Sequence, residues 1–314
     1  MTDHRLAFET DLTGLDASDW MDAIEALSEE HGSFTPLGRS HAVAFLDAGR
    51  TLLVTFENAA EVMDLDDATP RGFAFARREG WSVLSFLSRG ESWFRDDRIY
   101  RHVDRLIDDG FFEDFDRVLF YGAQSGGYAA AAYSVAAPGA RVLALRPQAT
   151  LDPAVAGWDS RFFAHRGQTF TDRYGFAPDM IDAAEAAYIL FSPQHRLDSM
   201  HAALFTRSNA VMLRAHGLAG QLERSLDGLD LLDDLIRAAM DGTLDPAHFG
   251  RLMKRRKTSP SYLRRLVTRA TDAGHDRLAA QVCRIALRDA PNPWFEKQLA
   301  AIEGTASPAA ERAG

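Results

Sequence analysis

The sequence of 314 residues contains one cysteine, Cys283. A lone thiol excludes an intrachain disulfide and a cysteine-based metal centre. With 46% apolar residues the chain has enough material for a core that needs no such staple. Positive charge is also in short supply. The 35 Lys and Arg stand against 45 Asp and Glu, a net charge of −10, which argues against a general nucleic-acid binder. A membrane span needs about 20 mainly apolar residues. The longest near-apolar run, Val118 to Ala137, is broken by Gln124, Ser125, Gly126 and Gly127. The first residues lack the basic start and apolar stretch of a signal peptide. The expectation is a cytoplasmic protein with no membrane or nucleic-acid partner.

What is present alternates between two periodicities. Trp20, Ala23, Ile24 and Leu27 have helical spacing within Asp16 to His31. Ala42–Leu46 and Thr51–Phe56 are rich in strand formers, and Asp47-Ala-Gly-Arg50 between them predicts a hairpin. Trp81–Leu87, Val118–Tyr121, Arg141–Leu145, Ala187–Phe191 and Asn209–Leu213 predict further buried strands, with helical patterns between them. Strands separated by helices predict an α/β fold, three layers with a mainly parallel sheet. An aromatic, proline-containing insertion occupies about 146–180. From Pro246 the composition changes. Small residues at helical spacing (Ala273, Ala279, Ala280, Ala286) resemble a tetratricopeptide-like helix pair, expected to pack on the main domain or on a protein partner. The expected division is a main domain over 1–245, a helical appendage over 246–304 and a disordered tail over 305–314.

Chemistry concentrates at Gly122-Ala-Gln-Ser-Gly-Gly127, where a predicted strand turns abruptly into an Ala-rich helix. Small residues around a serine permit a turn sharp enough to expose its Oγ. A serine hydroxyl needs a base, and the base an orienting carboxylate. His216 follows the last strong strand and Asp198 the one before it. In a parallel sheet these positions share a rim with Ser125.

The order Ser125, Asp198, His216, each after a successive strand, resembles the α/β-hydrolase superfamily over about 42–235. That resemblance implies Ser125 as nucleophile, His216 as base and Asp198 as acid, with Asp152 the competing acid. It implies oxyanion-hole amides at Gly126 and at Glu57 or Asn58, although no His-Gly or Gly-Gly signature is present there. The elbow reads Ala123-Gln-Ser-Gly-Gly127, with alanine in the first glycine position. Gln124, Trp93 and Trp158 are candidate pocket residues. The reaction implied is hydrolysis or acyl transfer on an ester, thioester, glycan-borne or other small acyl substrate, without cofactor.

Three other readings compete. A catalytically inactive, partner-binding scaffold retains the same fold. The glycine turn partly resembles short-chain NAD(P)-dependent dehydrogenases, but Tyr128 stands where a further glycine belongs. It also partly resembles phosphoadenosine-phosphosulfate reductases, but their Asp-Ser or Asp-Thr is absent and Cys283 lies in the appendage. His195 and His201 flank Asp198, too weak a cluster to predict a metal.

Overall fold

The computed structural model describes residues 6, 10–218 and 222–310. The chain forms two compact units, Met1–Asp227 with Leu232–Phe249, and Gly228–Leu231 with Gly250–Gly314.

The first unit is built on an eight-stranded sheet in the order β1-β2-β4-β3-β5-β6-β7-β8. The strands are β1 (Gly32–Leu37), β2 (His41–Leu46), β3 (Thr51–Asn58), β4 (Ser82–Ser88), β5 (Arg117–Ala123), β6 (Arg141–Leu145), β7 (Ala186–Phe191) and β8 (Ala210–Arg214). β1 and β2 run antiparallel to their neighbours. All pairings from β4 through β8 are parallel. This mostly parallel sheet with flanking helices is consistent with the α/β-hydrolase fold. β4 is buried at every position, as a strand covered on both faces must be.

The hairpin expected between Ala42–Leu46 and Thr51–Phe56 does not form. β4 lies between β2 and β3, so β3 pairs in parallel with β4 and β5. Ser82, the first residue of β4, holds the short connection in place. Its Oγ accepts from the Ala48 and Gly49 amides at 2.9 and 3.1 Å and donates to the Gly49 carbonyl at 2.7 Å. β1 was not anticipated. Its Gly-Ser-Phe-Thr-Pro-Leu sequence is exposed over half its length and lacks an apolar run.

The helices of this unit begin with α1 (Ala17–His31), α2 (Ala59–Met63), α3 (Arg71–Glu79), α4 (Asp97–Asp108) and α5 (Ser125–Tyr133). Then follow α6 (Pro153–Ala156), α7 (Ala177–Met180), α8 (Arg196–Ala202), α9 (Leu222–Asp227) and α10 (Leu232–Met240). α1 is capped by the Asp16 side chain, which accepts from the Ser18 and Asp19 amides. α5 is buried from Gly126 to Tyr133. An apolar helix with no polar face belongs inside the molecule, and its four alanines let it pack closely against β5 and β6. Tyr133 stacks on Phe56 of β3 at 5.5 Å and donates its hydroxyl to the Phe94 carbonyl at 2.6 Å. This packing fixes the start of α5 at the carboxyl ends of β3 and β5.

Beyond α11 (Pro246–Leu252), the second unit comprises α12 (Pro260–Asp272), α13 (Asp276–Asp289) and α14 (Pro293–Ala310). They share an apolar cluster that includes Val267, Ala279, Cys283 and Phe295. The backbone of α14 extends into the stretch expected to be a disordered tail, and 311–314 lie outside the described residues. Among the described residues no helix is long and apolar enough to cross a membrane.

Candidate functional site

The turn between β5 and α5 is sharp, and its apex is Gln124. This residue takes φ 52° and ψ −115°, and α5 starts at Ser125. Positive φ is costly for a residue with a side chain, on the order of 1–3 kcal/mol. The surrounding backbone enforces it. The Gln124 amide donates to the Leu145 carbonyl at 2.8 Å, and its carbonyl accepts from Tyr128 at 2.9 Å. The glycines on either side are sterically required. A Cβ on Gly122 would lie 2.2 Å from the Gly126 oxygen, and one on Gly126 would lie 2.2 Å from the Phe56 oxygen.

The small-x-apex-x-small pattern therefore reads Gly122-Ala-Gln124-Ser-Gly126, one residue earlier than expected from sequence. The doubled glycine at 126 and 127 allows both registers in sequence, and only backbone geometry separates them. Ser125 is the first residue of the helix, partly exposed and lining a cavity.

That cavity, of about 340 Å³, opens at the carboxyl ends of β3, β5 and β6. This is where open α/β sheets bind ligands. Gln124, Ser125 and Gly126 form one wall, and Glu57, Asn58 and Glu61 another. Tyr121, Arg71 and Glu223 also line it. Glu57 ends the apolar run of β3. Its carboxylate accepts from the Arg71 amide at 2.8 Å and the Thr55 hydroxyl at 3.0 Å. Burial, opposed by those hydrogen bonds and reinforced by the charge of Glu223, pushes its pKa up to about 7. The Glu223 carboxylate accepts from the Tyr121 hydroxyl, and burial raises its pKa too. The pKa of Tyr121 is raised well above its usual value, again by burial first. Arg71 turns to Asp227 and Asp233, at 2.9 and 3.2 Å.

The other expected site residues are placed as follows. Asn58 caps α2, its side chain accepting from the Ala60 amide at 3.0 Å, and it lines the cavity. Asp198 is buried and faces Arg161 at 2.6 Å, Arg146 at 3.3 Å and His195 at 3.4 Å. His216 is exposed and lies 3.5 Å from the Gln194 amide nitrogen. Neither is among the described residues lining the cavity that holds Ser125. Asp152 caps α6 through the Ala154 amide at 2.9 Å. His201 is buried, accepting from the Ala149 amide at 3.1 Å, with its other ring nitrogen 3.1 Å from Asp159.

Trp93 is a core residue, not a pocket wall. It is 1% exposed, and its indole donates to Gln148 at 3.2 Å. Trp158 packs on His201 with ring centroids 4.5 Å apart and is likewise absent from the cavity lining. Sequence reasoning overlooked Tyr121, Arg71 and Glu223. The first had a signal, because a tyrosine ending a buried strand beside a glycine turn brings a hydroxyl to the sheet rim.

No family model matches the chain, and no curated protein matches its sequence. Among solved structures, the chain is similar to an esterase from Pyrobaculum calidifontis, 14% identical over 77% of this chain and 94% of that one, with TM-score 0.43. Carboxyl esterase 2 from Tuber melanosporum is 10% identical over 68% of this chain and 83% of that one, TM-score 0.39. The capsule O-acetyltransferase of Neisseria meningitidis serogroup A is 12% identical over 57% and 84%, TM-score 0.33.

Proposed function

We propose that the chain is a hydrolase-like scaffold that binds a small polar ligand in the cavity at the β5–α5 turn and does not perform acyl transfer through Ser125. The observation that carries this reading is Gln124 at the strained apex. An elbow presents the apex side chain to the ligand. A carboxamide nitrogen has its lone pair delocalised into the carbonyl, so it offers hydrogen bonds, not a nucleophile. The contacts of Asp198 also support the reading. Its carboxylate faces two arginines, the environment of a structural ion-pair cluster.

A second reading is favoured by the position of Ser125 in the cavity, beside the Gly126 amide at the start of α5. In it Ser125 attacks an ester or thioester carbonyl, His216 takes its proton, Asp198 orients the imidazole, and the amides of Gly126 and Asn58 hold the oxyanion. Fluorophosphonate labelling separates the two. The scaffold reading predicts no adduct that depends on Ser125, and an adduct abolished by Ser125→Ala and by His216→Ala establishes the second reading instead.

A further inference from the structure

The cavity wall divides its charges unequally. Each arginine lining it has a carboxylate close by: Arg71 has Asp227 and Asp233 at 2.9 and 3.2 Å, Arg146 has Asp198 at 3.3 Å, and Arg224 has Asp64 at 3.6 Å. Glu57 and Glu223 have no cation so placed among the described residues. The hydrogen bonds they accept come from neutral donors, a backbone amide, a threonine hydroxyl and a tyrosine hydroxyl. The Arg71 guanidinium acts on both, but it is shared with Asp227 and Asp233, and the two half-buried carboxyls repel each other when ionised. They are relieved by a proton or by a cation placed between them.

An anionic ligand would meet these carboxylates without a free arginine to oppose them. A bare metal ion also lacks a seat, since among the described residues no group of three or more His, Cys, Asp or Glu is arranged to hold one. At about 340 Å³ the cavity has the size of a small-molecule site. The wall also offers the Tyr121 ring and the Gln124 carboxamide.

We propose that this cavity binds an organic cation, an ammonium or amidinium, with its charge seated between Glu57 and Glu223. The inference rests on the reading that the cavity beside Gln124 is the ligand site. It involves no covalent step. The charged or titratable groups around Glu57 are Arg71 from α3, Glu223 from α9, Tyr121 from β5 and Glu61 from α2. Because Glu57 is half protonated at about pH 7, a cation that needs its charged form displaces a proton on binding. Affinity then rises with pH, by about tenfold from pH 6 to pH 8.

The test is isothermal titration of the full chain with agmatine and benzamidine as cations, and with glucose and magnesium chloride as neutral and metal controls. Runs at pH 6 and pH 8, in two buffers of different ionisation enthalpy, report proton release. The expected result is binding of at least one cation, tighter at pH 8, with proton release at pH 6. Glu57→Gln and Glu223→Gln, checked for folding by circular dichroism, should each weaken it at least tenfold, and Glu57→Gln should flatten the pH dependence. The inference is overturned when no cation binds, when a cation binds equally well to both variants, or when wild-type binding is indifferent to pH and releases no proton. Glucose binding that is weakened in both variants also sinks the cation while leaving the cavity as the ligand site. Fluorophosphonate labelling of Ser125 is scored separately, so failure of the scaffold reading is distinguishable.

Discussion

Gly126 has no room for a methyl group, since a Cβ there would lie 2.2 Å from the Phe56 carbonyl oxygen. Gly126→Ala should therefore cost about 2–3 kcal/mol by denaturant unfolding, because the obstacle is backbone that cannot rotate away. Gly90→Ala, which meets nothing within 4 Å, is the control and should change stability little. A second expectation concerns Glu57, whose pKa in the folded chain is raised from 4.5 to about 7. Between those values the folded state holds more protons than the unfolded one, so this group lowers stability as pH rises from 4.5 through 7. Glu57→Gln removes that loss. Thermal melts should show the variant gaining stability over wild type at pH 8, on the order of 2 kcal/mol, and gaining much less at pH 4.5. At this scale the sequence makes the turn legible but puts its apex at Ser125, where the backbone puts it at Gln124. The Gly122–Gly127 composition identified a sharp strand-to-helix junction, whereas the apex depends on φ at one position. The surroundings of Asp198 are illegible for another reason: its neighbours Arg146 and Arg161 come from the insertion, and no local pattern announces that they converge.

At the scale of elements, the strands were legible where both faces are buried, as in β3 to β7, since continuous apolar runs have few other uses. Their order was less so. A four-residue connection from β2 to β3 reads as a hairpin in any sequence, and what prevents it is a third strand supplied about 30 residues later. Ser82 ties that connection to the intervening strand, buried and bonded to the Ala48 amide and to both the amide and carbonyl of Gly49. Ser82→Ala leaves those backbone groups without their partner. It should cost about 2 kcal/mol in urea unfolding, while Ser82→Thr, which keeps the hydroxyl, should lose less.

At the scale of the whole molecule, the two units carry different kinds of information. The first places a strained glutamine and two carboxyls raised in pKa at the sheet rim. The second buries the chain's one thiol, Cys283, which is 0% exposed among α12, α13 and α14. Burial also raises its pKa, which disfavours the reactive thiolate. A thiol reagent should therefore modify native protein far more slowly than protein in guanidinium, and the native rate reports how often this helical unit opens.

An elbow that binds and does not acylate leaves Ser125 free of any adduct. Intact-mass analysis after treatment of folded protein with a fluorophosphonate, followed by peptide mapping of residues 117–133, should show Ser125 unmodified in wild type. A stoichiometric adduct on Ser125, absent from Ser125→Ala, would contradict it and make this chain a serine hydrolase or acyltransferase whose nucleophile stands one residue past the apex.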